Sequence, residues 1–348
     1  MRNGRKVTVL LDGSHHAMRY AHVAKKEDTE KEGFQMWKYM FLNGIFQYIE
    51  TFQADELIIA LDARHNFRKK IFKYYKAKRK SARKKEDKKE GWFNYESFFK
   101  MQDEYIKQIE KTFPFKILKI DTTEADDIIG VLCHSKALKD NMKVLVTVDS
   151  DYVQLLASPF TTLYNPMTKK FVESDDPKGD LLLKVMVGDS SDYVPSINDR
   201  HNYKPEFLQW CVKKGLADND VNAKIKLDNN ETLCIGMELE FEETYPIKAA
   251  RIMRFPKKEA IGLIESDQVY DFLNKPENKN LKTKFLRNNK LVNLTEQPKD
   301  VKNIIMKEYN DYKTVDNMKQ LFEFFVFLGA NEFLNNTTKI ADTIEQLL

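Results

Sequence analysis

The sequence predicts an α/β fold: a mostly parallel central sheet flanked by helices, followed by a mainly helical region. Three observations carry this. Short apolar runs of strand length alternate with longer helical ones, the pattern of a parallel sheet with helices on both faces. Three of the short runs end in Asp. Beyond residue 192 the apolar runs turn helical and are joined by polar loops rich in Asn and Lys.

The elements follow in order. KVTVLLD (6–12) reads as a buried strand, short and without a small-residue cleavage site, so it is not a signal peptide. FQMWKYMFLNGIFQYIETF (34–52) is an apolar helix, and ELIIALD (56–62) a second strand. A basic stretch follows, then a helix over 92–113 and a strand over 115–120. The run TEADDIIG opens the next helix, KVLVTVD (143–149) is a fourth strand, and 151–157 is a short helix. Residues 161–174 suggest a hairpin around Asn165-Pro166. Further on, helices are expected over 204–214, 246–253, 257–265 and 315–328, while 217–245 resists assignment. The Phe- and Leu-rich stretch 319–336 reads as core packing. A chain of 348 residues has room for two domains, placed at 1–192 and 193–348.

Bulk composition excludes several classes. No apolar run approaches the roughly 20 residues that span a bilayer. Cys133, Cys211 and Cys234 are too widely spaced for a disulfide framework or a CxxC metal motif, which fits a reducing cytoplasm. The net charge of +4 conceals an asymmetry. Between Arg64 and Lys89 there are fourteen Lys or Arg against two acids, a local +12, so the rest of the chain carries −8.

The acids are where chemistry is expected. Asp12, Asp62 and Asp149 end strands, and ligands of open parallel sheets bind outside the carboxyl ends of the strands. Glu124, Asp126 and Asp127 open a helix near the same edge, Asp151 follows Asp149, and GDSSDY supplies Asp189 and Asp192. Each acid alone could be a helix cap or turn residue. Nine carboxylates together would repel, and hard divalent cations relieve that repulsion. Oxygen-only ligation suits two Mg²⁺ ions, with Mn²⁺ able to substitute. The basic stretch interleaves Phe67, Phe72, Tyr74 and Tyr75 with Lys and Arg, a composition that attracts phosphate backbones and can stack on unpaired bases. A polyanion beside a divalent-metal site implies phosphodiester hydrolysis.

The ordered motifs VLLDG, LDARHNFR…YYKAKR, TEADDIIG, VDSDYVQLL and GDSSDYVP resemble the flap endonuclease / 5′→3′ exonuclease family over residues 5–195. The resemblance implies a PIN-like 5′ nuclease core and a helical arch over about 64–100 that admits a 5′ single strand. It implies that Asp12, Asp62, Glu124, Asp126, Asp127 and Asp149 surround one metal, and that Asp151, Asp189 and Asp192 serve a second. Lys76 and Arg79 would contact the scissile phosphate, and Arg68, Lys69, Lys73, Tyr75 and Arg83 would also bind nucleic acid. The implied substrates are DNA with a 5′ flap, nick or fork, and RNA–DNA hybrids such as replication primers. The implied protein is a monomer, off the membrane, with a single-stranded-DNA-binding protein or sliding clamp as partner, in a host cytoplasm if phage-borne. Two departures stand out. Tyr193 and Ser196 occupy positions where the family often has Asn and Gly, and the Gly-rich helix–hairpin–helix pattern is absent between 195 and 260, with 234–253 in its place. A PIN-type ribonuclease and a non-catalytic nucleic-acid-binding protein are the alternative readings.

Overall fold

The computed structural model describes residues 4–87, 91–245, 247–315 and 317–348, without the side chains at 80, 81, 84, 85 and 318. Residues 88–90 of the expected arch, and residues 246 and 316 of two expected helices, lie outside the described residues. The chain packs as two compact units. The first comprises 1–67, 86–178 and 294–348; the second comprises 68–85 and 179–293. This differs from a single boundary at 192. The apolar C-terminal helices complete the core of the first unit, and the basic stretch carries apolar residues that pack in the second.

The first unit is built on a six-stranded sheet of order β3-β2-β1-β4-β5-β6. The strands are β1 (Val7–Asp12), β2 (Glu56–Leu61), β3 (Lys116–Lys119), β4 (Met142–Val146), β5 (Thr161–Asn165) and β6 (Lys170–Val172). All neighbours are parallel except β5 and β6, which form the expected hairpin. Every residue of β1 is buried, as a parallel strand covered on both faces requires. Helices α1 (Gly13–Ala24) and α2 (Glu30–Phe52) link β1 to β2. In α2, Trp37, Phe41, Ile45 and Ile49 recur every fourth residue and are fully buried, giving one apolar face. The Trp37 indole N–H donates to the Ala17 carbonyl at 2.8 Å, so this large ring is buried without an unpaired donor.

The first unit also holds α5 (Tyr95–Thr112), α6 (Ala125–Cys133), a 3-10 helix (Ser150–Ala157) and α14 (Lys299–Asp311). Its last elements are α15 (Leu321–Leu328), α16 (Asn331–Asn335) and α17 (Thr337–Glu345). Leu321, Phe324, Phe325, Phe333 and Ile344 join Phe46 and Phe113 in one core, as core packing of this stretch predicts. The helix expected over 315–328 is shorter, a 3-10 turn at Met318–Gln320 leading into α15.

The TEADDIIG motif ends on Gly130 for a packing reason. A Cβ there would sit 2.4 Å from the Leu294 carbonyl oxygen, in the segment leading to α14. Gly130→Ala is therefore expected to destabilise the protein by about 1–3 kcal/mol, the overpacking cost exceeding the gain in helix propensity. Urea unfolding measures this; equal or greater stability of the variant would show that the backbone yields at no cost.

The second unit is mainly helical, as expected. It holds α3 (Arg68–Ile71), most of α4 (Ala77–Glu86) and α7 (Pro177–Val187), then α8 (Pro205–Lys213), α9 (Asp220–Asp228) and α10 (Glu231–Thr244). α11 (Lys257–Glu265), α12 (Val269–Asn274) and α13 (Lys279–Val292) follow. Strands β7 (Arg200–Tyr203) and β8 (Ala250–Met253) form a separate antiparallel pair. The helix expected over 246–253 is thus replaced by a strand at Ala250–Met253, with 247–249 in neither state. Its Ala, Arg and Met suit a helix locally, but pairing with β7 overrides that preference. The stretch 234–253 is a helix followed by a strand, not two helices around a glycine hairpin.

A candidate metal centre at the carboxyl edge of the sheet

The chain leaves β1 for β2 on one side and returns with β4 on the other, so β1 and β4 bracket the topological switch point of a doubly wound sheet. Asp12 closes β1 there. It is 7% exposed and caps α1, accepting from the His15 backbone N–H at 2.8 Å. Its other oxygen accepts from the Tyr152 hydroxyl at 3.0 Å and the Thr147 hydroxyl at 3.3 Å. Asp62, just past β2, accepts from the Ala125 N–H at 2.9 Å, which ties the strand end to the first residue of α6. Asp149 follows β4 and caps the 3-10 helix by accepting from the Asp151 N–H at 2.9 Å. The caps and the cluster are the same residues, so the choice posed by each acid alone does not arise.

Electrostatics record the crowding. Burial, then the charge of Asp62 and more weakly that of Asp149, pushes the Asp12 carboxyl up from 3.8 to about 7. Burial, followed by Asp12, Asp126 and Asp149, holds the Tyr152 phenol well above its usual range, so it remains a donor to Asp12. Asp12, Asp62, Asp126 and Asp149 are therefore one electrostatic group. A site this negative, made only of oxygen donors, fits a hard divalent cation.

Two other expected ligands differ in situation. Glu124 is 7% exposed and forms the N-cap position of α6. Asp127 is fully buried, and its carboxylate accepts from the Glu124 N–H at 3.0 Å. It anchors the start of the helix through one carboxylate oxygen, as Asp12 and Asp149 anchor theirs.

Asp189 and Asp192 belong to the second unit. Their loop is closed by reciprocal backbone bonds between Asp189 and Val194, at 2.9 and 2.7 Å. Tyr193 within it has φ 60°, a left-handed conformation that Asn adopts at lower cost, which accounts for the Asn that the family often carries there. Burial alone would raise the Asp189 carboxyl. The Lys184 ammonium at 2.8 Å and Ser191 reverse this and bring it to about 2. Asp192 gathers the Tyr75 hydroxyl at 2.8 Å, Arg79 at 2.8 Å and the Lys76 ammonium at 3.4 Å.

The basic stretch is less uniform than its composition suggests. Lys69, Lys73, Arg79 and Arg83 are exposed. Arg68 is 1% exposed, with its Nε donating to the Leu291 carbonyl at 2.8 Å, and Tyr75 is equally buried. Neither side chain presents a face to nucleic acid, which corrects their expected role as direct contacts. Phe67 and Phe72 are buried too, so only Tyr74 of the four aromatics keeps part of its ring at the surface. The apolar positions Phe67 and Ile71 (i, i+4) and Phe72 and Tyr75 (i, i+3) were too few among so many cations to reveal this packing. Sequence reasoning also passed over Thr147, Tyr152 and Lys184, which hold the acids in place. Only the position of Tyr152 inside VDSDYVQLL hinted at its part.

A doubly wound sheet whose switch point carries an oxygen-only carboxylate group, with Asp12 buried in it, is the arrangement of a metal-dependent hydrolase of the phosphodiester-cutting class. The chain belongs to the 5′-3′ exonuclease family: residues 7–179, about half its length, match the N-terminal, resolvase-like domain of 5′-3′ exonucleases. It is 26% identical to Ribonuclease H of Enterobacteria phage T4 over 64% of this chain and 76% of that protein. It is likewise 26% identical to the 5′-3′ exonuclease of Buchnera aphidicola (subsp. Schizaphis graminum), over 56% of this chain and 66% of that one. The fold is shared with the bacteriophage T5 flap endonuclease in a complex with DNA and metal ions, at TM-score 0.55 and 14% identity over 97% of this chain and all of that one. Among the described residues, no helix is long and apolar enough to cross a membrane.

Proposed function

We propose that this protein is a metal-dependent 5′→3′ exonuclease and flap endonuclease acting near the 5′ ends of DNA, or of RNA in RNA–DNA hybrids. Removal of RNA primers during replication in the cytoplasm is the matching task. The observation that carries the reading is the grouping of Asp12, Asp62, Asp126 and Asp149 at the switch point of the family's domain.

In this reading those four acids with Glu124 and Asp127 surround one Mg²⁺, and the acids expected at a second ion are Asp151, Asp189 and Asp192. When bound, such ions lower the pKa of water and offset charge on the phosphate. The remaining work falls to the chain. Tyr152 and Thr147 fix the orientation of Asp12, the Ala125 N–H fixes Asp62, and the Asp151 N–H fixes Asp149. Lys76 and Arg79 stabilise charge developing on the scissile phosphate. Lys69, Lys73 and Arg83, all exposed, attract the backbone of the substrate. A single-stranded-DNA-binding protein or sliding clamp is the expected partner of a monomeric enzyme.

The test is cleavage of 5′-end-labelled flap DNA and of an RNA–DNA hybrid with Mg²⁺, with EDTA, and by Asp126→Ala/Asp149→Ala. Short 5′ products are expected with Mg²⁺ alone, and the double variant should still bind the flap. Binding by the wild type without cleavage of either substrate would leave a non-catalytic binding protein.

A further inference from the structure

We propose that the second unit carries a separate metal site for a zinc-class ion, formed by His201, Cys234 and Glu238. His201 lies on β7, while Cys234 and Glu238 stand four residues apart on α10 and so share a face of that helix. One ligand atom from each lies within 4.8 Å of the other two. The His201 Nδ1 is 2.8 Å from a Glu238 carboxylate oxygen and 3.7 Å from the Cys234 sulfur. Cys234 and Glu238 are 2% and 3% exposed.

An ion pair would account for His201 and Glu238. It gives no reason for a buried sulfur facing the same ring nitrogen. A tetrahedral zinc ion does. With Zn–N near 2.0 Å and Zn–S near 2.3 Å, the N···S edge of the tetrahedron is about 3.5 Å, close to the spacing already present. The N···O edge needs about half an ångström of opening, within reach of a Glu side-chain rotation.

A second observation points the same way. A cavity of about 280 Å³ is lined by His201, Tyr203 and Cys234, with Asp228 and Glu231 also on its wall. It gives water or a ligand access to the cluster from the side of His201 and Cys234. Tyr203, two residues from His201 on the same face of β7, has its hydroxyl 3.3 Å from the Cys234 sulfur, as an outer partner of a bound thiolate would. Thiolate, imidazole and carboxylate together select a borderline-soft ion, in contrast to the oxygen-only group of the first unit. The bound ion would staple β7 to α10.

The experiment uses the full-length protein, stripped with chelator and returned to excess Mg²⁺, which occupies oxygen sites. Titration with Co²⁺ should then give a thiolate-to-cobalt charge-transfer band saturating at one equivalent, displaced by Zn²⁺. Cys234→Ser should abolish the band, and Cys211→Ser should leave it intact. Glu238→Gln, which keeps the thiol, should weaken Co²⁺ binding and shift the band. Absence of the band in the folded wild type would overturn the proposal, as would its persistence in folded Cys234→Ser. If Cys234→Ser does not fold, unchanged Co²⁺ affinity in Glu238→Gln would overturn it instead. Flap cleavage in Mg²⁺ is read separately, so this site can fail without touching the nuclease reading.

Discussion

Asp12→Asn is expected to abolish cleavage and, in the metal-free protein, to raise stability at neutral pH. The two effects share one cause. Asp12 is buried among like charges, and its carboxyl titrates near 7 in the folded protein against 3.8 for an unperturbed Asp. A folded pKa above the unfolded one favours the native state while both are protonated. That contribution is lost as pH rises from 3.8 through about 7. The loss is on the order of 4 kcal/mol at neutral pH. Asn keeps the cap on α1 and removes the charge. In EDTA the melting temperature of the wild type should therefore fall across this window relative to that of the variant. Divalent metal should restore the wild type more than the variant. Cleavage by the variant should drop by about a thousandfold or more, since a ligand acting on the reacting centre is lost. Parallel pH profiles of the two metal-free proteins would refute the charge argument. Retained cleavage would remove Asp12 from the site.

Lys76→Ala is expected to slow cleavage by about a hundred- to a thousandfold while changing flap affinity little. Lys76 has a left-handed backbone (φ 56°), its N–H donates to the Asp192 carbonyl at 2.8 Å, and its side chain is only 13% exposed. So constrained a cation is suited to placing charge at one point rather than gathering a polymer. Lys69 and Lys73 are the contrast. Exposed and on the same stretch, they should weaken binding when changed to Ala and each reduce the salt dependence by about one counterion. Lys76→Arg should recover part of the rate. Loss of binding in Lys76→Ala as large as the loss of rate would make Lys76 another backbone contact.

The sheet and its acidic edge were legible because parallel strands write themselves as apolar runs, and three of the runs here end in an Asp suited to the sheet edge. Asp12, Asp62 and Asp149 fell where that logic placed them. What stayed hidden depends on partners distant in sequence. Arg68 reads as a cation for phosphate until Leu291, more than two hundred residues away, supplies its acceptor. Tyr75 reads as a stacking ring until Asp192 takes its hydroxyl. Residues 250–253 are a strand only because 200–203 lie alongside. The cluster of His201, Cys234 and Glu238 has no spacing that a sequence pattern would flag, since one member comes from a strand and two from a helix.

The first unit closes its core with Leu321, Phe325, Phe333 and Ile344, packed with residues from the first fifty positions. During synthesis the β1–β6 sheet emerges long before these side chains do. Phe46 and Phe113 must then wait, without their final neighbours, while the whole second unit is translated. Long-range closure of this kind is slow and leaves apolar surface uncovered in the interim. The core of the first unit should therefore close only once residues 321–344 have left the ribosome, and a chain stopped near residue 180 should contain every strand of that unit's sheet yet collect as aggregate.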